Sequence, residues 1–192
     1  MKQTRMSLAS WVVGLGLLGW CGGSAAAEES IRIPVETVAD YIHAVIEADR
    51  TFYTLQIVER LQREGVAVSS EHWRVNKTLP LPAQFLKESS ELAALTGTKF
   101  QYRLIGLWPI NPQNGPKTEF EKTGLQQVIS HPERPYTGIV SLEQKRAFQA
   151  IYADRAVSRT CVTCHNAHPQ SPRKDFKLDD VMGGVEITIP LE

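Results

Sequence analysis

Residues 161 to 165 read Cys-Val-Thr-Cys-His, two thiols three positions apart with an imidazole directly behind the second. No other run in the chain restricts its surroundings as much. In this arrangement the two sulfurs can add across the two vinyl groups of one haem, and the histidine then falls beneath the iron as its proximal ligand. Two intervening residues let one turn of chain span the vinyls. The spacing therefore points to one covalent haem c on Cys161 and Cys164, with His165 on the metal.

Three other uses of the same residues compete. A redox Cys-x-x-Cys pair sits at a helix start within a thioredoxin-like pattern early in its domain. This motif instead lies near the C-terminus with no βαβ pattern upstream. A zinc site would recruit Cys161, Cys164, His165 and His168, ligands too close in sequence to surround a tetrahedral ion easily. A structural disulfide would close a tiny loop and stabilise little.

Haem attachment needs reduced thiols and a maturation system outside the cytoplasm, and the N-terminus agrees. Lys2 and Arg5 precede an apolar stretch from Leu8 to Trp20, followed by small residues from Gly22 to Ala27. Ala25-Ala26-Ala27 fits the small-x-small cleavage rule, so residues 1–27 read as a signal peptide and the mature chain, 28–192, is expected in the periplasm. The apolar core is about a dozen residues where a span needs ~20, so no stable membrane span is expected after cleavage. An uncleaved anchor is the competing reading. Cys21 suggests lipidation, but Trp20 before it is bulky where a lipobox wants a small residue. Of the three cysteines, only Cys161 and Cys164 remain in the mature chain.

Cleavage takes two basic residues from a chain with 21 basic and 21 acidic ones, leaving a formal charge of −2. That balance gives no reason to propose nucleic acid or an anionic membrane as a partner. With 42% hydrophobic and 22% charged residues, the composition is that of a globular domain.

Apolar periodicity predicts a long N-terminal helix over Glu36–Glu64, stopped by Gly65, with Val38, Tyr41, Ile42, Val45, Ile46, Phe52 and Tyr53 facing the core. A second helix is expected over Ala83–Leu95 and a third over Lys117–Ser130. Strands are expected at Lys99–Leu107, Tyr136–Val140, Arg146–Ala153 and Val185–Ile189. Helices first, then short strands with helices between them, indicate an α+β domain with an antiparallel sheet.

Several stretches together carry a family resemblance. Phe100-Gln101-Tyr102-Arg103-Leu104 leads into Trp108-Pro109-Ile110-Asn111-Pro112, and Cys161 to Pro172 is followed by Asp175-Phe176-Lys177-Leu178-Asp179-Asp180-Val181-Met182-Gly183-Gly184. The chain resembles a bacterial family of periplasmic c-type haem proteins that are similar to PAS sensors. The resemblance implies a PAS-like fold, a five-stranded antiparallel sheet with flanking helices around the haem. It also implies redox or gas sensing rather than enzymatic turnover. Family members can place a cysteine or another side chain of the N-terminal helix on the iron as sixth ligand. The mature chain departs from the cysteine version, having no third cysteine.

Candidates for that position are His43, His72, His131, His168 and Met182. His43 leads because the long helix is a rigid element able to reach the opposite haem face. A helical wheel sets it off the apolar stripe, beside Ala39, Glu47 and Arg50. This face is either an ordinary polar surface or the border of the haem cleft, with Arg50 available to a propionate. Arg103 and His168 are further candidates for propionate contacts. Asn166 is expected to close the turn after the motif, and Asp154-Arg155 reads as a surface pair. Met182-Gly183-Gly184 reads as a turn, and Trp108 and Tyr102 as core aromatics.

The function expected is electron transfer or sensing of redox state or a diatomic gas, with a redox or signalling protein as partner. The competing reading is a haem enzyme, a peroxidase or nitrogen-oxide reductase, with His43 and Arg50 as a distal acid–base pair.

Overall fold

The computed structural model describes residues 31–191. The expected signal peptide lies outside them. The first helix of the described residues is α1 (Val35–Phe52), which continues through a π-helical segment, Tyr53–Glu59, into a last short turn, α2 (Arg60–Arg63). Gly65, at φ +68°, ends the run as expected. The helix is thus as long as its periodicity predicts but widened near its end. There Tyr53 donates its hydroxyl to the carbonyl of Pro80 at 2.8 Å and stacks on Phe85.

Val35, Ala39, Ile42 and Ile46, at steps of four, three and four, lay one stripe of α1 on the sheet. Tyr41, Val45 and Phe52, expected in the core, instead stand 64%, 62% and 61% exposed. The apolar residues of α1 cover more of its circumference than one sheet face can bury.

A short α3 (Trp73–Asn76) and then α4 (Pro82–Ala94) follow, with Pro82 at the first helical position and Gln84 bonding back to the Leu81 amide. Beyond them come β1 (Gln101–Ile105), α5 (Glu119–Ser130), β2 (Tyr136–Leu142), β3 (Lys145–Arg155), α6 (Arg159–Ala167) and β4 (Val181–Pro190). The sheet is antiparallel throughout in the order β1-β4-β3-β2, giving the α+β class expected. Among the described residues it has four strands, one fewer than the resemblance implies. Glu143 and Gln144, both at positive φ, form the two-residue hairpin turn between β2 and β3.

Strand alternation divides the sheet into two faces. Phe148, Ala150, Tyr152, Val185 and Ile187 pack under α1 and α4. Ile105 and Ile151 pack under Leu125 and Val128 of α5. Among the described residues no helix is long and apolar enough to cross a membrane.

The segment Met182-Gly183-Gly184, expected as a turn, is instead the start of β4. Its glycines are there because neighbours come close: a β-carbon on Gly183 would collide with the backbone carbonyl of Ile105 in β1, and one on Gly184 with the Ile151 side chain in β3. Backbone cannot swing aside as a side-chain tip can, so Gly183→Ala is expected to cost about 1–3 kcal/mol, the range for overpacking. Denaturant unfolding measures it, and an unchanged midpoint would contradict this account of the β1–β4 contact.

Candidate functional site

The Cys-x-x-Cys-His motif lies on α6, which begins only three residues after β3 ends. Ser158 caps the helix, accepting the Cys161 amide at 3.3 Å, and its hydroxyl lies 3.3 Å from the Cys161 sulfur. Helical spacing then sets Cys161, Cys164 and His165 on one side, three and four residues apart. Both cysteines are free thiols, unlike the disulfide alternative. Partial burial, and after it the charges of Glu71 and Cys161, raise the Cys164 thiol above its ordinary value. Redox-active Cys-x-x-Cys pairs are activated by the opposite shift.

The loop behind the motif is fixed from the helix. The Asn166 side chain donates to the Phe176 carbonyl at 2.9 Å and accepts the Phe176 amide at 3.0 Å, closing this turn as expected. Phe176 is thereby held edge-on to His165, ring centres 5.9 Å apart. The Arg173 guanidinium stacks against both Phe176 and Trp108.

The facing wall comes from α1 and the end of β3. Arg50 donates to both carboxylate oxygens of Asp154, its Nη2–Oδ2 bond measuring 3.1 Å. The two side chains are only 13% and 9% exposed. The expected surface pair Asp154-Arg155 is therefore split. Asp154 follows Tyr152 on the buried side of β3, while Arg155 points outward to Glu133 and Asp179. One turn before Glu47, His43 lies flat on the Tyr152 ring, centroids 3.9 Å apart and planes 8° from parallel. The Tyr152 hydroxyl donates to Asp40 at 2.8 Å. Burial, and then Asp40, raises the tyrosine's pKa well above its usual value. His43 is not an exposed polar residue, since its side chain is only 16% exposed.

Burial lowers the pKa of His43 against the opposing pull of Glu47, Asp40 and Asp154. Burial also lowers that of His165, where Asp154 opposes the shift and Arg50 and His168 add to it. Asp154 is thus within electrostatic reach of both imidazoles. Five buried side-chain nitrogen or oxygen atoms among the described residues lack a hydrogen-bond partner, and three belong here: His43 Nε2, Arg50 Nε and His165 Nδ1. Glu47 Oε2 is 3.3 Å from His43 Nε2 but out of line for a bond. Orphaned buried nitrogens are costly and rare in folded proteins, so a group gathering three of them calls for a partner. Two imidazoles, one guanidinium donor and two free thiols form a donor set that fits an iron porphyrin with carboxylate side chains.

The other expected contacts fall elsewhere. Arg103 lies on the opposite face of the sheet, its guanidinium 2.8 Å from both Glu121 of α5 and Glu186 of β4. It is separated from α1 by the sheet itself, which removes it from the expected propionate contacts. His168 accepts the Gln170 amide on Nδ1 at 3.2 Å and has Glu71 3.0 Å from Nε2, so a carboxylate of the chain already holds it. His72 and His131 are exposed at helix ends, and Met182 is in β4. No three His, Cys, Asp or Glu side chains among the described residues converge as a metal-holding group. Asp154 and Tyr152 were not singled out as site residues from the sequence. The signal was present in β3, where Phe148, Ala150, Tyr152 and Asp154 alternate onto the α1 face.

Fold and site together define an α+β domain in which a long N-terminal helix and a Cys-x-x-Cys-His helix flank one end of an antiparallel sheet. The chain belongs to the Tll0287-like family, whose pattern matches residues 28–190. Its fold is similar to that of the cyanobacterial heme-protein Tll0287, with a TM-score of 0.51 at 17% identity, covering 83% of this chain and 98% of that one. No curated protein matches the chain.

Two measurements probe the α1 wall. Removing one partner of a buried ion pair strands the other charge, so Arg50→Met is expected to cost about 3 kcal/mol, and Arg50→Met with Asp154→Leu clearly less. Equal losses in a denaturant-based double-mutant cycle would contradict the buried pairing. The second concerns pH in chain made without cofactor. A histidine whose folded pKa lies below 6.5 contributes stability that is complete above that value and is lost as pH falls through it. Stability should therefore decline from pH 7 to 5, and His43→Gln should flatten the slope; an unaltered slope would mean that His43 is not buried neutral.

Proposed function

We propose that the chain is an exported haem protein with one haem c joined to Cys161 and Cys164, His165 as proximal ligand and His43 as the distal one. The gathering of unpartnered buried nitrogens around Asp154, beside the Cys-x-x-Cys-His helix, carries this reading. Membership of the Tll0287-like family and likeness in fold to a heme-protein support it. The working compartment is the periplasm, reached through the leader. A haem supplies reversible one-electron exchange and, where an axial position opens, binding of a diatomic gas.

Each of the chain's own residues has a definite task. Ser158 orients the first thiol by capping α6, and the helix sets the second thiol and the imidazole at the spacing that both attachment and ligation require. Phe176, clamped by Asn166, limits rotation of the His165 ring. Tyr152 holds the His43 ring flat, and Asp40 fixes Tyr152. Arg50 keeps one unpartnered Nε–H for a propionate while Asp154 neutralises its charge. Two side-chain ligands favour electron transfer or redox sensing over turnover, because peroxidase chemistry needs an open iron and a free distal base. The physiological counterpart is a redox or signalling protein met in the periplasm.

Mature protein made in a host with working cytochrome assembly is expected to carry the mass of one haem and to give a haem c pyridine haemochrome. Cys161→Ala with Cys164→Ala should lose the covalent pigment. His43→Ala should convert a low-spin absorption and magnetic circular dichroism spectrum to high spin. Colourless protein at the bare polypeptide mass would refute the haem; an unaltered spin state in His43→Ala would refute only the distal assignment.

A further inference from the structure

The outer face of α1 carries a regular apolar seam that the site does not use. Val38, Tyr41, Val45, Ala48 and Phe52 follow at steps of three, four, three and four, the repeat of helices that pack lengthwise on one another. Tyr41, Val45 and Phe52 are the large exposed members, and Ala44 and Ala48 beside them are exposed as well. At ~100° per residue the seam lies on the side of the helix away from His43 and Arg50. A groove of about 410 Å³ continues it toward α4 and β1, bounded by Tyr41, Val45, Asp49, Phe85, Phe100 and Tyr102.

We infer that this face binds the same face of a second copy of the chain, the two α1 helices running antiparallel across a two-fold axis at Val45. Side-chain size selects both the occupant and the direction. Antiparallel pairing sets Val38 against the partner's Phe52, Tyr41 against the partner's Ala48, and Val45 against its own copy. Each of the two aromatic side chains then meets a smaller one. Parallel pairing would stack Tyr41 on Tyr41 and Phe52 on Phe52 while leaving a gap between two alanines.

Charge agrees with the same direction. The antiparallel register brings the exposed Asp49 carboxylate level with the partner's Tyr41, whose hydroxyl can donate to it. Opposed helix dipoles add to the preference. The three large exposed side chains offer roughly 400 Å² per copy, and the adjoining groove walls bring the patch toward the ~800 Å² per partner of a standard interface. Self-complementary pairing of one patch is the isologous arrangement that closes at two copies. The inference stands apart from the cofactor reading, because the seam and the site occupy opposite sides of α1.

Sedimentation equilibrium of the processed, pigmented protein over a concentration series tests it. Twice the chain mass is expected. Val45→Glu, which sets two carboxylates on the axis, should weaken association at least tenfold with far-ultraviolet circular dichroism unchanged. Ala48→Tyr alone should also weaken it, and Tyr41→Ala combined with Ala48→Tyr should restore it. For direction, an oxidised mixture of Val38→Cys and Phe52→Cys proteins should cross-link to each other, and neither to itself. A monomer mass at every concentration, a dimer indifferent to Val45→Glu, or self-cross-linking of Val38→Cys would each overturn the proposal.

Discussion

The bond between Arg50 and Asp154 holds together the two parts of the chain on which the site depends. Arg50 is two turns after His43 on α1; Asp154 is the last inward residue of β3, four residues before the cap of α6. The pair spans 104 residues and fixes where the helix with one imidazole meets the strand that leads into the other. Burying two charges costs desolvation, and the Coulomb gain offsets it only with good geometry. The bidentate contact supplies that geometry, and its contribution is as much to placement as to stability. An apolar pair of similar volume could hold the helix down but would leave neither a cation nor a carboxylate within electrostatic reach of the two imidazoles.

The other face of the sheet uses charge differently. Arg103 sits between Glu121 and Glu186, both only 3% exposed, so one guanidinium serves two buried carboxylates. Burial first, partly opposed by Arg103, raises the pKa of Glu186, and Gln149 donates to its other oxygen at 2.6 Å. A carboxyl with a raised folded pKa takes up its proton more readily in the folded chain and so stabilises it as pH falls. This shift opposes in sign the effect of the buried histidines, which is why the histidine contribution is isolated by substitution rather than read from the whole pH profile. The cluster ties β1, β3, β4 and α5 together, and its distance from α1 assigns Arg103 to the fold.

Much of this architecture was legible in the sequence, and what was not has physical reasons. The motif on α6 and the four strands could be read because local spacing specifies them. The fifth strand rested on resemblance alone and is absent among the described residues. The Met182-Gly183-Gly184 segment read as a turn because paired glycines usually serve flexibility, whereas here they serve close approaches of β1 and β3 that only the folded sheet reveals. His43 fell off the apolar stripe, and the wheel gave no sign that its polar side was buried, because that burial comes from Tyr152 more than a hundred residues away. Asp154 was within reach of the alternation in β3, but its partner is a long-range one that no local pattern predicts.

The same wheel explains why Tyr41, Val45 and Phe52 misled. A helix lying on a sheet buries about one stripe, and α1 carries apolar residues well beyond it. The surplus is ordered: at seam spacing, with a small residue placed where an antiparallel copy would present a large one. Exposed apolar surface favours aggregation unless it is covered, so an ordered surplus is better explained by a specific partner than by tolerance. The helix then has three faces with three tasks, one on the sheet, one toward the imidazole and guanidinium site, and one outward. Because the inward and outward faces share a rigid backbone, pairing at the seam would limit bending of α1 and so hold His43 and Arg50 in register with α6.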